Sequence, residues 1–134
     1  NLASRLEAVT KYYGVGIIVS EKTLVQLPDS TGFITRFLDK VQVKGKQESV
    51  IIYQIFDAST DAANPWRKYD LVQWQTAIDL YFSQQLQEAL VVFENILTQY
   101  PNDRPTQLYI ERIGKLMIEG LSQDWQGIDI MQSK

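Results

Sequence analysis

Phe33-Ile34-Thr35-Arg36-Phe37-Leu38-Asp39-Lys40-Val41-Gln42-Val43 is the stretch that decides the fold. Its residues alternate, with Phe33, Thr35, Phe37, Asp39, Val41 and Val43 on one face and Ile34, Arg36, Leu38, Lys40 and Gln42 on the other. A period of two is the mark of a β-strand, and the first face is the more apolar. Lys44-Gly45-Lys46-Gln47-Glu48 is polar and contains glycine, as a turn requires, and Val50 to Phe56 is a second β-branched and aromatic run. The two runs predict an antiparallel hairpin.

Upstream, Leu2, Leu6, Val9 and Tyr13 recur at spacings of four, three and four, one apolar stripe of a helix that Gly14 and Gly16 stop. Gly16 to Ser20 reads as a short buried strand. Ser20-Glu21-Lys22-Thr23 is a cap opening a brief helix through Leu27, and Pro28 to Gly32 is turn chemistry. Downstream, residues 57–66 have the composition of a linker.

After the linker everything reads as helix. One stripe comprises Leu71, Trp74, Ile78, Tyr81 and Phe82, and a second Leu86, Leu90, Phe93, Leu97 and Tyr100, closed by Pro101. A third, Tyr109, Ile113, Leu116 and Met117, follows Asn102-Asp103-Arg104-Pro105 and ends at Gly120. Ser122 to Lys134 lacks a period and is expected to pack back through Trp125.

Composition narrows the chemistry. A net charge of -3 gives no basic footprint for nucleic acid. There is no cysteine and no histidine, which excludes disulfides, thiol chemistry, a histidine base and a typical zinc site. No run of about eighteen apolar residues is present to cross a membrane. The first residues are neither an initiator methionine nor a signal peptide, so the chain is expected to start inside a longer one.

Three pieces stand in a particular order: Asn1-x-x-Ser4-Arg5-x-Glu7 opening a helix, Ile17-Ile18-Val19-Ser20-Glu21-x-Thr23, and Val41-x-Val43-Lys44-Gly45-Lys46 followed by Val50-x-x-Tyr53. Each is weak alone. Together, over residues 1–56, they resemble the second half of the catalytic domain of class III adenylate and guanylate cyclases. The resemblance implies an α+β chain: a truncated ferredoxin-like cyclase half (helix, short strand, hairpin), then an all-α three-helix tail over residues 67–134.

It also implies roles. Asn1 would bind the substrate ribose, and Arg5 would stabilise charge at the α-phosphate as the 3′-hydroxyl attacks. Lys44 would meet the terminal phosphates. Residues 1 and 5 are one helical turn apart and share a ridge, and a guanidinium fork suits phosphate oxygens. Read from spacing alone, Asn1 remains a helix cap, Arg5 a solvated charge, and Lys44 and Lys46 hairpin-turn charges.

The family's metal-binding aspartates would lie before Asn1. Mg or Mn is therefore expected in the parent enzyme but not on this chain alone, which is expected to be inactive. The substrate would be ATP, the assembly a homo-oligomer, the location cytoplasmic, without nucleic-acid or membrane contact. The hairpin would lack neighbouring strands and keep an open edge that recruits other chains.

In the tail, Ala89, Phe93, Ile96 and Pro101 match the close of a tetratricopeptide repeat of about 34 residues. Arg67 to Lys134, with Leu108-Tyr109-x-x-Arg112 and Asp124-Trp125-x-Gly127, is similar to tails that follow bacterial, notably cyanobacterial, cyclase domains. Two readings stay open: a compact helical cap, or a peptide-binding groove. Exposure of Tyr81, Phe82 and Phe93 would favour the groove, and burial against the third helix the cap. Arg112 needs no more than a pairing with Asp103 or Glu111.

Overall fold

The computed structural model describes residues 10, 12–15, 17–26, 33–43, 47–57, 66 and 68–131. The chain is mixed α and β and divides into two compact units, one of Asn1–Pro65 with Ile128–Lys134, the other of Trp66–Gly127.

In the sheet unit, β1 (Ile18–Ser20) leads into a one-turn helix α1 (Glu21–Leu24), then β2 (Phe33–Val43) and β3 (Ser49–Asp57) form the hairpin. The last strand, β4 (Asp129–Met131), returns from beyond the helices. The strand order is β1-β3-β2-β4. β1 and β2 both run antiparallel to β3, whereas β4 runs parallel to β2. The edge of β2 that the sequence leaves open thus acquires a strand at Val41–Val43.

Local chemistry explains the connections. Gly14 takes φ +65°, a left-handed conformation that glycine adopts without cost, and Val15 N–H closes the helix end on the Thr10 carbonyl at 3.1 Å. Ser20 caps α1 as expected, its Oγ accepting from Thr23 N–H at 3.2 Å. The helix ends at Leu24, short of the expected Leu27.

The faces of β2 correct the simple alternation. Phe37 pairs with Tyr53 and Asp39 with Ile52, so Leu38 is an extra residue in a bulge. A bulge shifts the parity of every side chain after it. Before it, Arg36 is buried; after it, Asp39 and Val41 are, while Thr35 and Phe37 are only half-buried. The buried face therefore comprises Ile18, Ser20, Arg36, Leu38, Asp39, Val41, Ile52, Gln54 and Phe56.

The helical unit has α2 (Lys68–Phe82), α3 (Leu86–Gln99) and α4 (Arg104–Glu119). α2 ends without glycine: Gln84 adopts φ +68°, and the N–H groups of Gln84 and Gln85 bond to the carbonyls of Tyr81 and Leu80 at 3.0 and 2.9 Å. This is a Schellman-type stop. α3 buries Leu86, Ala89, Phe93 and Ile96. The line of residues that suggests a repeat is thus its core stripe, while Leu90 and Leu97 flank it. Asp103 caps α4, accepting from Thr106 N–H at 3.2 Å and its hydroxyl at 2.6 Å, with Pro105 in the first turn.

The core is aromatic. Trp74 meets Trp66, Phe93 and Tyr109 edge-on at 6.1, 5.4 and 5.7 Å between ring centroids, and Phe93 stacks on Tyr109 at 5.1 Å. Trp66 stacks on Tyr100 at 4.4 Å, and the Tyr100 hydroxyl donates to the buried Asp70 carboxylate. Trp125 packs back as expected, against Tyr81 and Phe82.

Gly127 fixes the exit of that segment. Its φ is +74°, and a Cβ there would fall 2.4 and 2.6 Å from two atoms of the Phe82 ring. Gly127→Ala should cost about 2 kcal/mol, from left-handed strain and displacement of the ring. Urea unfolding measures this, and a variant as stable as the parent would show that the ring yields freely.

Candidate functional site

The sequence nominates Asn1, Arg5 and Lys44. All three lie outside the described residues. The structure does describe what flanks them: the helical Thr10, Tyr12 and Tyr13 after the first two, and the end of β2 before the third. The last hairpin pairs are Val41 with Val50 and Gln42 with Ser49, so residues 44–46 join β2 to β3.

Between these flanks lies a polar cluster that sequence reasoning missed. Asp39, fully buried, accepts at Oδ2 from the Tyr13 hydroxyl at 2.5 Å and at Oδ1 from the Lys40 N–H at 2.8 Å. A buried carboxylate costs several kcal/mol unless donors meet it, and here both oxygens are met. The Tyr13 bond ties this helical residue to β2.

Arg36, 2% exposed, lies beside it on the same face. Its Nε and Nη2 donate to Gln54 Oε1 at 3.1 and 2.5 Å, and its guanidinium carbon sits 5.6 Å from the Phe56 ring centroid. A guanidinium keeps its charge even when buried, so it has to be satisfied in place. Gln54 faces Arg36 directly across the ladder. The signal for this pair was in the sequence: Gln54 shares the parity of Ile52 and Phe56.

On the opposite face Phe37 meets Tyr53 edge-on at 5.9 Å. Burial and then the nearby Glu21 carboxylate raise the Tyr53 phenol above its usual range. It stays protonated at neutral pH.

In the helical unit Tyr81 and Phe93 are buried, each packed on Tyr109 of α4, and Phe82 is half-buried beside Trp125. Glu111 pairs with Arg104 at 2.9 Å, while Arg112 lies over the Tyr109 ring at 5.1 Å.

Among the described residues no group of three or more carboxylates could hold a metal ion, and no helix is long and apolar enough to cross a membrane.

The chain is an α+β protein related in sequence to adenylate cyclases. It is 36% identical over 113 residues, 84% of its length, to the adenylate cyclase, terminal-differentiation specific, of Dictyostelium discoideum, of which that stretch is 5%. It is 43% identical over 56 residues, 41% of its length, to an adenylate cyclase of Anabaena cylindrica, of which that stretch is 11%. The chain therefore spans only a small part of either relative. No protein-family model and no solved structure matches it. A span of 113 residues in a chain of 134 cannot avoid residues 22–113, so the first similarity runs through both units.

Proposed function

We propose that residues 1–56 are the C-terminal half of a class III nucleotide cyclase catalytic domain, and that the parent protein converts ATP to cyclic AMP and pyrophosphate. The observation that carries this reading is the similarity to proteins named adenylate cyclase, which spans the hairpin. The order of short strand, one-turn helix and hairpin agrees with it.

In this reading Asn1 holds the ribose and Arg5 stabilises the charge that develops at the α-phosphate while the 3′-hydroxyl attacks. Lys44 holds the terminal phosphates. Fixed positive charge aimed at a developing anion is the main lever in such chemistry. The carboxylates for Mg or Mn come from a preceding segment of the parent, and two copies assemble the site in the cytoplasm.

The helical unit is, on this view, a tetratricopeptide-like cap rather than a groove. Burial of Tyr81 and Phe93 against α4 supports that choice. The competing reading, an interaction module carrying a silent cyclase remnant, finds no exposed aromatic lining among these three residues.

The test is cyclic AMP formation from ATP with manganese. The chain alone should give none, and the chain mixed with the amino-terminal half of the catalytic domain should give activity. An inactive mixture of two folded halves contradicts the reading.

A further inference from the structure

We propose that the helical unit works as a clasp on the sheet: β4 pairs with β2 only while α2–α4 are folded. Whatever steadies or loosens those helices then adds or removes the outermost strand. This coupling follows from the topology and is independent of the cyclase reading.

Chain order is the first ground for it. Trp66–Gly127 form one compact unit, whereas Ile128–Lys134 belong with Asn1–Pro65 in the other. The helices are therefore an insertion between β3, which ends at Asp57, and β4, which begins at Asp129. β4 has little of its own to hold it. It is three residues long, stands last in the strand order beside β2 alone, and pairs in parallel with Val41, Gln42 and Val43. Parallel pairing is the weaker kind, and a strand without a hairpin partner has to be delivered by a crossover.

Both ends of the insertion are fixed within the helical unit. At the entry, buried Trp66 stacks on Tyr100 at 4.4 Å and meets Trp74 edge-on at 6.1 Å. At the exit, Trp125 lies 5.3 Å from the Tyr81 ring and 6.4 Å from the Phe82 ring. Gly127 then turns with φ +74° against Phe82, and only Ile128 separates it from β4. With the helices folded, the chain that links β3 to β4 outside them is residues 58–65 and residue 128. With them unfolded it is the whole of 58–128, and closing the longer loop costs more chain entropy. Scaled as the three-halves power of loop length, pairing of β4 becomes about twentyfold less favourable.

The experiment is amide exchange on the intact chain carrying Trp74→Ala and Phe93→Ala together. Both side chains are buried in the helical core, and neither residue belongs to the sheet unit. At a urea concentration where the amides of α2–α4 report open helices, the amides that bridge β2 and β4 should lose protection about twentyfold or more. Ile52–Gln54, on the strand between β1 and β2, should keep theirs. Bridging amides that stay protected beside open helices overturn the proposal. Loss of protection across the whole sheet also overturns it, because the two units would then unfold as one.

The reverse variant leaves the helices untouched. Ile130→Pro with Met131→Pro removes two adjacent N–H groups, so the ladder fails whichever of them faces β2. Both residues lie outside the helical unit. Coupling between two equilibria is reciprocal, so the folding equilibrium of α2–α4 should fall several-fold, up to about twentyfold. Helices as stable as in the parent would show that β4 and the helices are uncoupled, and would overturn the proposal.

Discussion

Trp74→Ala lowers the stability of the helical unit by about 3–5 kcal/mol, the cost of emptying a large aromatic site that neighbours cannot fill. Trp74 is 1% exposed and meets three other rings, from Trp66 before α2, Phe93 of α3 and Tyr109 of α4. Those rings are edge-on to it, an arrangement that alanine removes together with the buried area. Val72 stands two residues away on the same helix and is 59% exposed. Val72→Ala should therefore stay within about 0.5 kcal/mol. Urea unfolding followed by far-ultraviolet circular dichroism measures both. A loss under about 1 kcal/mol for Trp74→Ala would show that the aromatic cluster is not the core of the unit.

Gln54→Leu destabilises the sheet unit by about 3 kcal/mol, although it makes the face more apolar. The reason is Arg36, which stays charged and buried and loses the oxygen that both its Nε and Nη2 reach. A hydrogen bond to a charged group contributes about 1.5–3 kcal/mol, and a buried donor left short of a partner costs its desolvation. Gln54→Glu retains carboxyl oxygens at the same reach and should lose clearly less. The ordering of the two variants, read from their unfolding midpoints, is the informative result. Gln54→Leu as stable as the parent would mean that the pair contributes packing alone.

What the sequence discloses and what it hides divide along physical lines. The hairpin is legible because β2 and β3 are long, alternate with period two, and flank a polar glycine-containing turn. The bulge at Leu38 is not, because one extra residue reverses the parity of all that follows without marking the composition. The buried side of β2 consequently switches parity at the bulge, and simple alternation gives no sign of the Arg36–Gln54 pair. The end of α2 gave no glycine signal, since Gln84 itself takes the left-handed conformation. β4 was invisible: three residues beginning with an aspartate carry no period, and their partner lies far back in the chain.

The candidate site was legible only through resemblance. Asn1, Arg5 and Lys44 are unremarkable as spacings, and a cap, a surface charge and a turn charge account for them equally well. The buried Asp39 with its Tyr13 donor emerges only from tertiary structure, because the sequence alone makes an aspartate in a strand look solvated.

Arg5→Ala in the complemented enzyme tests the central claim most directly. If this chain supplies the transition-state charge of a cyclase, the rate of cyclic AMP formation from ATP should fall on the order of a hundredfold or more, with the affinity for ATP little changed. An Arg5→Ala enzyme that forms cyclic AMP at the parental rate would contradict the account.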